Sequence, residues 1–184
     1  HSRRHGPVGY AHYEQYRSWL RDEFGFRCVY CLAREQWAKG RHGFVIDHLT
    51  PQTKDPGRVL DYENLVYACS TCNDMKNDAE GVPDPCEAAF GKSVEIRTDG
   101  SIKALDDRGR FLVEVLRLGN EINTSFRRRW LRIIREAKSR RDLTGDGLYA
   151  ELMGFPDDLP NLASKRPPGE NSRPDGIQES FYER

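Results

Sequence analysis

The sequence predicts an α+β fold in which a small metal-braced core is flanked by helices on both sides. Three observations predict it. Two Cys-x-x-Cys knuckles are present, Cys28/Cys31 and Cys69/Cys72. Between them lie short β-prone runs, Phe44-Val45-Ile46 and the stretch from Val59 to Ala68. On either side, apolar residues recur at helical spacing. They are Tyr13, Tyr16, Trp19, Leu20 and Phe24 before the first knuckle, and Ile122, Phe126, Trp130, Ile133, Ile134 and Ala137 well after the second.

The four pieces follow in order. Residues 1–25 read as an N-terminal arm and helix, with residues 1–9 basic and loose and Gly25 ending the helix. Residues 26–80 hold the knuckles and everything between them. Residues 81–160 carry a hairpin and a basic helical region. In it, Val94–Ile96 and Ile102–Ala104 pair across a turn at Asp99-Gly100. Phe111 to Leu118 reads as a strand or the start of a helix, and Glu121 to Arg141 as a long amphipathic helix. Residues 161–184, rich in Pro, Gly, Asn, Ser and charge, read as a polar tail or an extended docking arm. No internal repeat is seen.

The chain has 184 residues, which suits one domain with an appendage or two small ones. Hydrophobic residues make up 37% and charged residues 32%, so the core is modest and gains from a brace. No run of 18 apolar residues occurs, and no apolar stretch follows a charged start. A membrane span and a secretory signal are therefore not expected. The chain begins at His1, which reads as a trimmed or processed start. A cytoplasmic setting is expected, where thiols stay reduced and free for metal. Basic and acidic side chains balance at 29 each, so net charge gives no support to nucleic-acid binding. Their distribution does more, because Arg127 to Arg141 holds eight basic residues and one acid, Glu136.

The knuckle spacing lets both sulfurs of each pair reach one ion, and two knuckles complete a tetrahedral shell. Cys28, Cys31, Cys69 and Cys72 are therefore expected to hold a structural Zn²⁺ with no open coordination position. The competing reading is two redox pairs or disulfides. Cys86 is left over as a free thiol.

Between and just after the knuckles stand Asp47, His48, Asn64, Asn73 and Lys76. Phosphodiester hydrolysis needs a deprotonated water and neutralised phosphate charge. A neutral histidine is a suitable base near pH 7. A carboxylate and an amide oxygen suit a hard divalent cation, and a lysine adds positive charge. Singly, each residue has a plainer explanation; Asn73, for one, could cap the helix that follows.

Together the motifs CxxC…DHxxP…NL…CxxCNxxK, from Cys28 to Lys76, resemble the HNH endonuclease family in its zinc-braced ββα-metal branch. The likeness covers about Phe26 to Asp78. It implies a β-hairpin and helix over Phe44–Leu49, Leu65–Ala68 and Asn73–Asp78. It implies that His48 activates water, that Asp47 and Asn73 hold the catalytic metal, that Asn64 orients the histidine and supports its loop, and that Lys76 contacts phosphate. Asparagine at the third motif position favours Mg²⁺ or Mn²⁺ there. A loop of 15 residues between His48 and Asn64 departs from the family pattern.

The expected substrate is DNA. RNA cleavage is the alternative, as is a non-catalytic zinc module that binds nucleic acid or scaffolds a complex. Arg128, Arg132 and Arg135 share one helix face and suit phosphate contacts. From the hairpin onward, the layout is similar to small stand-alone prokaryotic HNH proteins. Several of these act in anti-phage defence, some beside a regulatory ATPase. That likeness implies gating by a partner.

Overall fold

The computed structural model describes residues 2–38, 40–87, 91–139 and 147–180. The centre is a two-stranded antiparallel ribbon with a helix joined directly to it. β1 spans Phe44–His48 and β2 spans Leu65–Cys69, with Phe44 opposite Cys69 and His48 opposite Leu65. α2 covers Ser70–Lys76 and packs on both strands. It begins within the second knuckle, three residues earlier than the sequence suggested. Asn77 ends it at φ +47°.

β2 reads Leu-Val-Tyr-Ala without polar alternation, and these four residues are fully buried. Such a run belongs to a strand covered on both faces. α1, Arg17–Glu23, entered through a 3₁₀ turn at Tyr13–Tyr16, lies against it. Trp19 and Leu20 of α1 are fully buried. Gly25 follows at φ +61°, so the helix ends where the glycine predicted. A buried ion pair ties α1 to the first knuckle: Arg21 donates to both Glu35 carboxylate oxygens at 2.9 and 2.8 Å, and the Tyr67 hydroxyl donates to Glu35 at 2.7 Å.

The C-terminal half contains the expected hairpin, β3 Val94–Ile96 with β4 Ile102–Ala104. α3, Asp107–Val115, resolves the open reading near Phe111 in favour of helix. Asp106 caps it by accepting the Gly109 amide at 2.7 Å. α4 spans Glu121–Ser139; the expected extension through Arg141 lies outside the described residues. α5 covers Leu148–Met153. Along α4 the apolar stripe packs unevenly. Ala137 is buried and Trp130 stacks on Trp37 at 5.2 Å, but Ile122 is 81% exposed. The hairpin turn is pressed against α4. Gly100 sits at φ +83°, and a β-carbon there would come within 2.6 Å of the Arg128 amide nitrogen.

Two expectations are corrected. Residues 1–9 read as loose, but within the described part, residues 2–9, Arg3 is 6% exposed and His5 is fully buried. The arginine fork of Arg3 donates to the Leu65 carbonyl at 2.9 Å, and His5 Nε2 lies 2.5 Å from Asp22 Oδ2. Local composition could not show that these charges find partners far along the chain. Of the segment read as a tail or docking arm, the described residues 161–180 do not run free. Pro7 bridges to Asn171, Val8 bonds to Glu170 and Gly169, and Leu162 and Ser180 are fully buried. Both terminal segments close on each other. No described helix is long and apolar enough to cross a membrane.

Candidate active site and metal centre

The knuckles converge as the spacing required. One donor sulfur from each of Cys28, Cys31, Cys69 and Cys72 lies within 4.8 Å of all the others. The Cys31 and Cys69 sulfurs are 3.8 Å apart. Sulfurs on a tetrahedron of metal–sulfur bonds near 2.3 Å stand about 3.8 Å apart. The cluster therefore fits a structural zinc ion. Packed alone, the four thiols cannot all ionise. Hydrogen bonds from Cys28, Cys31 and Cys72 pull the Cys69 thiol far down, while burial pushes Cys28 up. A cation removes that conflict by binding all four as thiolates. The disulfide reading is not met, since all five cysteines are free.

Beside the ribbon opens a cleft of about 490 Å³. It is lined by Asp47 and His48 from β1, by Pro51 to Thr53, by Asn73, Asp74 and Lys76 from α2, and by Tyr13 and Glu14. β1, β2 and α2 thus bring Asp47, His48, Asn73 and Lys76 to one cavity, although 29 residues separate Asp47 from Lys76.

His48 is held on three sides. Nε2 stands 3.1 Å from the Val59 carbonyl, and Nδ1 stands 3.2 Å from the Gln52 amide nitrogen. The edge-on ring of Tyr13 lies 4.9 Å away. A carbonyl can only accept, so Nε2 carries the proton and Nδ1 offers a lone pair; the tautomer is assigned from these partners. Burial lowers the imidazole pKa below its ordinary value, against the opposing pull of the Val59 carbonyl and Asp47. The ring is neutral at pH 7.

Asp47 is buried, and both of its oxygens are engaged. Oδ2 accepts from the Tyr30 hydroxyl at 2.6 Å, and Oδ1 accepts from Lys76 Nζ at 3.0 Å. Lys76 also donates to the His48 carbonyl at 2.7 Å, and its side chain is 1% exposed. This corrects the expected phosphate contact: the Lys76 ammonium is spent inside the protein, fixing Asp47 and the end of β1. Asn73 is half-buried in the cleft, and among the described residues its side-chain amide makes no hydrogen bond.

Asn64 is fully buried, and its side-chain hydrogen bonds go to the loop and not to His48. Its Oδ1 accepts the Thr50 amide at 2.8 Å, and its Nδ2 donates to the carbonyls of Thr50 and Arg58 at 3.1 and 3.2 Å. It ties together the two ends of the long loop, which carries the Val59 carbonyl. Asn64→Ala removes three part-buried hydrogen bonds. A loss of about 2–4 kcal/mol in folding stability is expected. Limited proteolysis between Gln52 and Arg58 should become markedly faster than in the wild type.

Sequence reasoning missed Tyr30, Gln52 and the Val59 carbonyl. The signal for Tyr30 was its place inside the first knuckle, which fixes its backbone against the metal. Arg127 was also missed as a strut: it is buried and donates to the carbonyls of Gly100 and Leu118 at 2.7 and 2.5 Å. Arg128, Arg132 and Arg135 are exposed on α4, and none of them lines the cleft. Arg128 donates to the Asp99 carbonyl at 2.9 Å.

Fold and site together define a small hydrolytic module, a ribbon and helix clamped by a Cys₄ centre with a histidine and oxygen donors in one cleft. The HNH endonuclease family model matches residues 28–79, so this stretch carries an HNH endonuclease domain, which supports a nuclease function. No curated protein matches the chain.

Proposed function

We propose that the chain is a metal-dependent endonuclease that hydrolyses the phosphodiester backbone of DNA with His48 as general base. The observation that carries this is the fixed histidine tautomer: Nε2–H bonds to the Val59 carbonyl, which leaves Nδ1, now accepting from the Gln52 amide, as the basic nitrogen of a residue that lines the same cleft as Asp47 and Asn73. The Gln52 amide at Nδ1 marks the direction from which a water proton would be taken. Tyr30 and Lys76 hold the Asp47 carboxylate still, and Asn64 holds the loop that orients the ring.

Asp47 and Asn73 offer only oxygen donors, a set that fits a hard divalent ion such as Mg²⁺ or Mn²⁺. Bound there, the ion would neutralise phosphate charge and stabilise the leaving oxygen. The exposed arginines of α4 are part of the proposal as backbone contacts, since a guanidinium fork matches phosphate oxygens. Charge reversal at Arg128 and Arg132 should flatten the salt dependence of DNA affinity. The proposal also includes gating by a partner such as a regulatory ATPase in an anti-phage system, on the likeness of layout alone. Pull-down of the full chain from its host checks it.

The test is a cleavage assay on supercoiled plasmid and on structured RNA, with Mg²⁺, with Mn²⁺ and with neither. Metal-dependent plasmid cutting is expected. Cutting of RNA alone would replace the substrate, and cutting that ignores metal would remove the mechanism.

A further inference from the structure

A second cavity lies apart from the cleft and shares no lining residue with it. Its volume is about 220 Å³. Its walls are apolar and aromatic, with Trp37, Phe126, Trp130 and Met153; Arg27, Arg34 and Arg127 border it, as does Cys31 of the metal cluster, and Arg127 is already bound to backbone carbonyls. Trp37 and Trp130 stack on each other, with 5.2 Å between ring centroids and 12° between their planes, and both border the cavity.

Two of these arginines are forced together by the backbone. Arg27 and Arg34 face each other across an isolated β-bridge that closes the first knuckle. Among the described residues, neither forms an ion pair, and the Arg34 guanidinium reaches only the Gly154 carbonyl at 3.5 Å. Half-buried like charges without an acid are costly unless something else neutralises them.

We propose that this cavity is a nucleotide site, with one base against the aromatic wall and its phosphate on Arg27 and Arg34. The chemistry on the walls selects the ligand. A guanidinium pair matches the oxygens of a phosphate, and a base stacks on aromatic side chains. The volume falls below the range for drug-sized ligands, so the site takes one ring system and not a length of strand. A free nucleotide and the phosphorylated end of a strand share this chemistry. The site stands independently of the cleavage mechanism.

The test uses the full zinc-loaded chain with His48→Ala and without divalent metal, so that nothing is cut. Tryptophan fluorescence is followed during titration with dAMP. Trp19 is fully buried, which leaves Trp37 and Trp130 as reporters. Saturable quenching by dAMP is expected, with deoxyadenosine and inorganic phosphate each binding about tenfold more weakly or worse. Arg27→Gln with Arg34→Gln should weaken dAMP by about tenfold or more at an unchanged circular dichroism spectrum. The single variants serve if the double variant does not fold. A 5′-phosphorylated tetranucleotide binding more tightly than dAMP assigns the site to strand ends; the reverse assigns it to free nucleotides. The proposal is overturned if dAMP gives no saturable signal, if phosphate alone binds as well, or if folded arginine variants bind dAMP unchanged.

Discussion

Cys72→Ser is expected to leave the chain without a cooperative thermal transition, and a strong zinc chelator should do the same to the wild type. The magnitude follows from linkage. A structural Cys₄ zinc site contributes an apparent binding energy of about 10–16 kcal/mol near pH 7. A domain of ordinary stability has only about 5–15 kcal/mol in total. The metal term therefore decides whether the fold exists. The position makes the loss general. Cys72 is 3% exposed and lies in the first turns of α2, and Cys69 closes β2. Losing the clamp unseats the helix that carries Asn73 and Lys76. Calorimetry and a chromophoric zinc assay should show one zinc released per chain as the transition disappears. A chain that keeps its melting temperature in chelator holds no structural metal.

His48→Ala should lower the rate of cleavage by about 10²- to 10⁴-fold, the range for removal of a general base. Nucleic-acid affinity should stay within about twofold, because the imidazole is enclosed by Tyr13, Gln52 and Val59 and adds no charge at pH 7. Single-turnover cleavage and a gel-shift titration on the same protein separate the two effects. Equal loss of binding and cutting would mean that His48 holds the fold and not the reaction. The purified variant should remain folded, with a lowered melting temperature, since the bonds to the Val59 carbonyl and from the Gln52 amide and the Tyr13 ring contact are removed.

Legibility from the sequence followed the range of the interaction. Cys-x-x-Cys spacing is local, so both halves of the metal centre were readable, and their meeting point followed from the demand for four ligands. The strands around Asp47 and His48 were readable as short β-prone runs closed by Pro51. The motif order placed Asn64 and Asn73, but only the coordinates show that Asn64 acts through the backbone of Thr50 and Arg58. Lys76 was misjudged for a physical reason. A lysine on a polar helix reads as exposed, whereas its stem crosses the core to reach Asp47 and the end of β1. The terminal segments failed in the same way. Their polar composition suits disorder, yet Arg3, Arg4 and His5 are consumed by Glu23, Asp22 and the backbone at Glu63 and Leu65. Partners 17 to 62 residues away leave no periodic trace in the chain.

The central claim is that one hard cation sits between β1 and α2, facing an uncharged imidazole. Crystals of His48→Ala soaked in Mn²⁺ test it through anomalous scattering. A single manganese peak is predicted with an oxygen of Asp47 and the side-chain oxygen of Asn73 about 2.0–2.3 Å away. A peak that leaves Asn73 uncoordinated, or no peak in the cleft at saturating Mn²⁺, would contradict the account.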